Sequence, residues 1–183
     1  LNSINLPEPH WLPAVRQVPS PNYNQRPVDT KISLLVIHNI SLPAGEFGSD
    51  CVEQLFTNCL DCSERDDFAS LQGLEVSAHL FIDRLGRVTQ FVPLNYRAWH
   101  AGESCFEGRS GCNDFSIGIE LEGTDECPYT EHQYKSLRQM TRQIIKAYPA
   151  IIRRNIVGHS DIAPMRKTDP GPAFNWDYFF NQL

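Results

Sequence analysis

Residues 32–38 read Ile32-Ser33-Leu34-Leu35-Val36-Ile37-His38, an apolar run rich in β-branched side chains that closes on an imidazole. A run this short and this apolar predicts a strand buried on both faces. His38 then stands at a sheet end facing a crevice. A second strand is expected over Phe115-Ser116-Ile117-Gly118-Ile119-Glu120-Leu121-Glu122, where Ile117, Ile119 and Leu121 share one face and the polar residues and Gly118 the other. Further out, Ala78 to Asp83 and Val88 to Val92 read as two strands around Arg84-Leu85-Gly86-Arg87, a hairpin in which Gly86 can take positive φ. Thr130 and Gln133 form a capping box ahead of an apolar stripe of Tyr134, Leu137, Met140, Ile144, Ile145 and Tyr148, and Pro149 marks the end of that helix. Asp50 and Glu53 offer a second box before Val52, Leu55 and Phe56. The fold class expected is α/β, a mixed central β-sheet flanked by helices.

The chain has 183 residues, 41% hydrophobic and 21% charged, which suits a single domain over residues 1–183. Residues 1–31 are proline-rich and read as an extended arm packed on it. The net charge of -6, with no block of Lys or Arg, argues against a nucleic-acid surface. No run has the length of a membrane span, and residues 1–13 lack the layout of a signal peptide. Neither nucleic acid nor membrane is expected as a partner, and no obligate protein partner is implied. Six cysteines are an even number, so a disulfide framework of a secreted protein is one reading. A chain this long builds its core without such staples, and Cys59-x-x-Cys62 has no second pair at zinc-knuckle spacing. Six reduced thiols in a cytosolic protein is the other reading, and the one preferred. Residues 59–75 show no period and read as a long surface loop.

The chemistry concentrates in Gly158-His159-Ser160-Asp161-Ile162-Ala163-Pro164-Met165-Arg166-Lys167-Thr168-Asp169-Pro170-Gly171-Pro172. This segment is too rich in Pro and Gly to be a helix. His159 repeats the pattern of His38, a short apolar run ending in imidazole. Either histidine alone reads as a satisfied, partly buried side chain, and Asp169 alone as the start of an Asp-Pro turn. Together they make a three-ligand set with a fourth position open to water, the form of a hydrolytic zinc site. Lys167 is then placed to stabilise an oxyanion. Glu120, on a face cleared by Gly118, is the candidate general base, with Glu122 the runner-up. His10 and His132 read as inert and His79 as structural. His100, after Trp99, reads as a groove residue that touches substrate.

Five stretches, in order, are shared with one family: Leu34 to Leu42 (LLVIHNISL), Val76 to His79 (VSAH), Arg97 to Gly102 (RAWHAG), Cys112 to Asp125 (CNDFSIGIELEGTD) and Gly158 to Pro172 (GHSDIAPMRKTDPGP). From about Pro19 to Trp176 the chain resembles the amidase-2 family, whose fold is that of the peptidoglycan recognition proteins, and within it the bacterial AmpD branch. The resemblance implies a zinc amidase that cuts the amide between the lactyl group of 1,6-anhydro-N-acetylmuramic acid and L-alanine in muropeptides. It implies Zn²⁺ on His38, His159 and Asp169, a general base at Glu120, an oxyanion cation at Lys167, and substrate contacts from Asn39, Trp99 and His100. It also implies a cytoplasmic role in cell-wall recycling and an indirect effect on β-lactamase induction. Glu75 and Gly111 stand where the resemblance implies basic residues for the peptide carboxylates, and Arg109 is the candidate to replace the second. The rival readings are a non-catalytic peptidoglycan-binding module and a disulfide-bonded envelope amidase acting on intact cell wall. A cysteine hydrolase is disfavoured, because no cysteine stands in a nucleophile setting.

Overall fold

The computed structural model describes residues 8–183. Its strands are β1 (Arg16–Gln17), β2 (Tyr23–Asn24), β3 (Leu34–Ile40), β4 (Leu80–Ile82), β5 (Val88–Gln90), β6 (Arg97–Ala98), β7 (Cys105–Phe106), β8 (Arg109–Ser110), β9 (Ser116–Glu122) and β10 (Ile156–Gly158). The helices are α1 (Cys51–Phe56), α2 (Glu131–Ala147), α3 (His159–Ile162) and α4 (Trp176–Asn181). Six strands form one sheet in the order β1-β5-β4-β9-β3-β10. All its pairings are parallel except the β4–β5 hairpin. The expected α/β class with a mixed sheet is what the chain adopts.

The sheet has two different faces because its strands alternate. Leu35 and Ile37 of β3 and Ile117, Ile119 and Leu121 of β9 pack with Tyr134, Leu137, Met140 and Ile144 of α2 and Phe179 of α4. This layer is the main core. On the opposite face, Leu34 and Val36 meet Ala101, Cys112, Phe115 and Ile162, while Val52, Leu55 and Phe56 of α1 pack on Phe91, Ala78 and Ala98. All seven residues of β9 are buried, although Ser116, Glu120 and Glu122 are polar. The polar alternation therefore marks the layer each residue faces, since residues 97–115 roof that side of the sheet.

Several expectations change in detail. Asp50, at φ -93° and ψ 5° rather than in the extended conformation of an N-cap, makes no side-chain cap on α1, and the Glu53 carboxylate is taken by the Arg16 guanidinium, at 2.5 and 3.0 Å. Residues 59–75 are not all irregular: Asp66–Leu71 winds into a 3₁₀ turn that buries Phe68. Despite its prolines and glycine, the C-terminal string begins with one helical turn, α3, whose N-terminal N–H at Gly158 donates to Asp161 Oδ2 at 2.7 Å. Of the proline-rich arm, residues 1–7 lie outside the described residues. The remainder supplies β1, paired with β5, and β2, paired antiparallel with β6. All six cysteines are free thiols. No helix among the described residues is long and apolar enough to cross a membrane.

The helix α2 carries the one cap that matches its sequence expectation in full. Thr130 Oγ1 accepts from Gln133 N, Gln133 Oε1 accepts from Thr130 N, and the Thr130 hydroxyl donates to the Arg84 carbonyl at 2.8 Å. Thr130→Ala is expected to lower the unfolding free energy by about 1–2 kcal/mol, read from urea titration. An unchanged midpoint would show that the cap contributes nothing.

Candidate metal centre

Strand register does most of the assembly. In the parallel ladder of β3 and β9, His38 is the partner of Glu120, and in that of β10 and β3, Gly158 is the partner of Ile37. His159, one residue past Gly158, therefore arrives beside His38. Three functional side chains thus come to the C-terminal ends of three adjacent strands, where a parallel sheet opens its crevice. Asp169 is brought in by the turn after α3. Its carbonyl accepts from Ser160 N at 3.0 Å, and the following Pro170 carbonyl accepts from the Tyr129 hydroxyl at 2.8 Å. Gly171 has φ +77°, and a Cβ there would lie 2.2 Å from the Cα of Asp125, so only glycine lets this turn close against the loop after β9.

The result is a tight triangle of donor atoms. His38 Nδ1 lies 2.9 Å from His159 Nδ1 and 3.0 Å from Asp169 Oδ2, and His159 Nδ1 lies 3.1 Å from Asp169 Oδ2. Both imidazoles are almost fully buried, at 1% and 3% exposure. Their far nitrogens identify the tautomers. His159 Nε2 is 3.0 Å from the Ala101 carbonyl, which can only accept, so that nitrogen carries the proton. His38 Nε2 is 2.8 Å from His100 Nδ1, and with Nε2 as donor both Nδ1 lone pairs face inward. Two nitrogen lone pairs and a carboxylate oxygen at this spacing repel one another unless a cation lies between them. The residues fit a divalent ion with imidazole and carboxylate ligands at about 2.0–2.2 Å and an open fourth position.

Glu120 borders this triangle. Its Oε1 is 4.0 Å from His38 Nδ1, and its Oε2 is buried with no hydrogen-bond partner. Burial, and then the negative charge of Asp169, push its carboxyl well above the usual range, against the opposing pull of Lys167. Such a group readily takes a proton. Lys167 is half-buried, and no side chain among the described residues pairs with its ammonium within 4 Å. The arrangement offers a polarising cation site, a proton acceptor beside it and a free ammonium, the parts required for hydrolysis of an acyl bond.

The other candidate residues fall in different places. Glu122, the second choice as base, is occupied: its carboxylate accepts from Gly48 N and from Arg84 N. His100 packs against the candidate ligand His38. Its Nδ1 meets His38, its Nε2 meets Ser116 Oγ at 3.0 Å, and its ring lies so close over β9 that a Cβ on Gly118 would be 2.5 Å from its Cγ. Both ring nitrogens are engaged by protein groups, and the half-buried ring backs a candidate ligand. Asn39 donates to Asp125 Oδ1 at 2.9 Å, Trp99 Nε1 donates to Asn24 Oδ1 at 3.1 Å, and Arg109 stacks 3.9 Å over Phe115. Gly111 lines a concave surface of about 640 Å³ between β7, β8 and the Ile162–Arg166 segment, and Glu75 borders a separate one of about 220 Å³. Two participants escaped the sequence reading, the Ala101 carbonyl and Asn113. A carbonyl has no sequence signature, and Asn113 stands out there only as a member of the Cys112 to Asp125 stretch, with no role attached.

With this geometry in place, likeness to known proteins can be weighed. The family model described as N-acetylmuramoyl-L-alanine amidase matches residues 28–172. The chain is 56% identical over 174 residues to the 1,6-anhydro-N-acetylmuramyl-L-alanine amidase AmpD of Salmonella typhimurium (strain SL1344), covering 95% of this chain and 92% of that protein. It superposes on the crystal structure of a selenomethionine AmpD derivative with a TM-score of 0.93 at 52% identity, covering 97% of this chain and 99% of that one. A complex of the N-acetylmuramyl-L-alanine amidase AmiD from E. coli with the substrate anhydro-N-acetylmuramic acid-L-Ala-D-gamma-Glu-L-Lys matches at a TM-score of 0.62 and 31% identity, covering 86% of this chain and 60% of that one.

Behind these groups sits His79, fully buried. Its Nδ1 accepts from Gly118 N at 3.0 Å and its Nε2 donates to the Tyr96 carbonyl at 3.0 Å. A second proton would point at an N–H donor. Burial first, and then the nearby Arg26 guanidinium, lower its pKa to about 3, against about 6.5 in an unfolded chain. Between those values the unfolded chain binds a proton that the folded one refuses. The stability His79 contributes is complete above about pH 6.5 and is lost as pH falls toward 3. The wild type should therefore lose a few kcal/mol more than His79→Gln across that window, measured by denaturant titration in chelator; parallel curves would remove His79 as the cause.

Proposed function

We propose a specific reaction for this chain, which belongs to the N-acetylmuramoyl-L-alanine amidase family and is an enzyme of that activity: zinc-dependent hydrolysis of the amide between the lactyl group of 1,6-anhydro-N-acetylmuramic acid and L-alanine. The observation that carries it is the convergence of His38 Nδ1, His159 Nδ1 and Asp169 Oδ2 beside a carboxyl with an unpartnered buried oxygen. The anhydro-sugar preference draws support from the high identity to the AmpD enzyme over nearly the whole of both chains. The muropeptide substrate draws support from the related AmiD complex.

His38, His159 and Asp169 would hold the ion, which when bound supplies Lewis acidity to water and to the scissile carbonyl. Glu120 takes a proton from the attacking water, a task for which its raised proton affinity suits it. The Lys167 ammonium offsets the negative charge that develops on the lactyl carbonyl oxygen. Glu120 then returns the proton to the alanine nitrogen, and the peptide leaves as an amine. The complete donor set weighs against a binding module that has lost catalysis, and six free thiols weigh against a disulfide-bonded envelope enzyme. A cytoplasmic place in cell-wall recycling, and with it an indirect lowering of the muropeptide signal for β-lactamase induction, follow as parts of the same reading.

The test is metal analysis of the purified protein together with mass spectrometry of an anhydro-muramoyl tripeptide before and after chelation. The expected result is about one equivalent of zinc and release of anhydro-sugar and tripeptide that stops with chelator and returns with zinc. Binding of the muropeptide without cleavage, even with zinc supplied, would refute the reaction. Glu120→Ala should keep its zinc and lose at least about 100-fold in kcat, whereas Asp169→Ala should lose zinc and activity together. Full turnover by Glu120→Ala would remove that residue from the proton transfers.

A further inference from the structure

The acceptors that hold the two imidazoles are consecutive residues. His38 Nε2 lies 2.8 Å from His100 Nδ1, the acceptor it needs when its own Nδ1 faces the centre with a lone pair, and His159 Nε2–H donates to the Ala101 carbonyl at 3.0 Å. The backbone N–H groups of the same two residues converge on one atom. Asn113 Oδ1 accepts from His100 N at 3.1 Å and from Ala101 N at 2.8 Å. Asn113 is itself buried, and the turn that carries it is gripped from the N-terminal arm: the Arg26 guanidinium donates to the carbonyls of Asn113 at 3.0 Å, Asp114 at 2.8 Å and Ser116 at 2.8 Å.

From this arrangement we infer that Asn113 is a positioning residue for the metal centre: one amide oxygen fixes the His100–Ala101 segment and thereby sets the ring orientation and tautomer of both imidazole donors. The inference rests on the reading of His38, His159 and Asp169 as ligands. An imidazole free to rotate or to change tautomer presents an N–H to the ion as readily as a lone pair, and the partner of its far nitrogen decides which. Here both partners ride on one short stretch of loop. A shift of that stretch by a fraction of a hydrogen-bond length loosens both rings at once. Two successive N–H groups held by a single side-chain oxygen remove that freedom, and neither group is left to solvent. The Ala101 carbonyl has a second lone pair for Arg166 Nη2, at 2.6 Å, which ties the loop also to the segment leading to Lys167 and Asp169.

The experiment compares zinc affinity, by competition with a chromophoric chelator, among wild type, Asn113→Ala and Asn113→Asp, with the absorption of the Co²⁺-substituted proteins as a second readout. Asn113→Ala is expected to bind zinc about 10- to 100-fold more weakly and to shift the Co²⁺ bands. Asn113→Asp keeps an oxygen that accepts both N–H groups and should stay within a few-fold of wild type. A folded Asn113→Ala with wild-type affinity and an unchanged spectrum overturns the inference. Failure of the wild type to take up a stoichiometric ion removes the metal centre instead, a separate result. If Asn113→Ala does not fold, ring and amide NMR of the zinc-loaded wild type decides the matter. His38 and His159 protonated at Nε2, with exchange-protected amides at His100 and Ala101, support the inference; either ring protonated at Nδ1, or an unprotected amide, overturns it.

Discussion

Everything at this site depends on the register of three parallel strands. Because His38 pairs with Glu120 and Gly158 pairs with Ile37, an imidazole, a carboxylate and a second imidazole reach the same sheet end with no loop needing to find them. Slippage of β9 by one residue would turn Glu120 into the α2 layer and put Ile119 or Leu121 in its place. The apolar alternation that packs Ile117, Ile119 and Leu121 against α2 is thus also what aims the carboxylate. Core packing and site geometry are enforced by the same side chains.

The centre is surrounded by neutral histidines, buried or half-buried. Burial is the leading cause that holds His38, His79 and His100 below the ordinary histidine range, and both ring nitrogens of His79 and of His100 meet fixed partners. Neutral rings are what metal coordination requires. Loss of solvent does most to keep them deprotonated, helped at His79 by the Arg26 guanidinium and at His38 by Lys167. Glu120 Oε2, buried without a hydrogen-bond partner, belongs to the group that the proposed chemistry asks to exchange protons.

Much of this was legible in the sequence because the signals are local. The run ending at His38, the alternation through Glu120 and the Thr130 capping box each describe a few adjacent residues, and each became the element expected. Less legible were features that depend on what packs nearby. Glu53 looked like a cap until Arg16 was seen to occupy it, Phe68 had no period to announce its burial, and α3 forms where prolines and a glycine argued against any helix. The role of His100 is the clearest case. Its neighbour Trp99 suggested a groove, yet Gly118, on a separate strand, clears the space that lets the ring lie on the sheet behind the candidate ligand His38.

The three candidate ligands come from far apart along the chain, His38 and Asp169 being separated by 131 residues. No partly folded chain can bring them together, because the pairing of β3 with β10 and the closing of the Asp169 turn on the loop after β9 must both be complete. An ion held there would bind the finished topology and nothing earlier, so its whole binding energy would add to the stability of the native domain. It would also act as a clasp between the first and last thirds of the chain, leaving the protein most exposed to proteolysis and aggregation in the interval between synthesis and metal uptake.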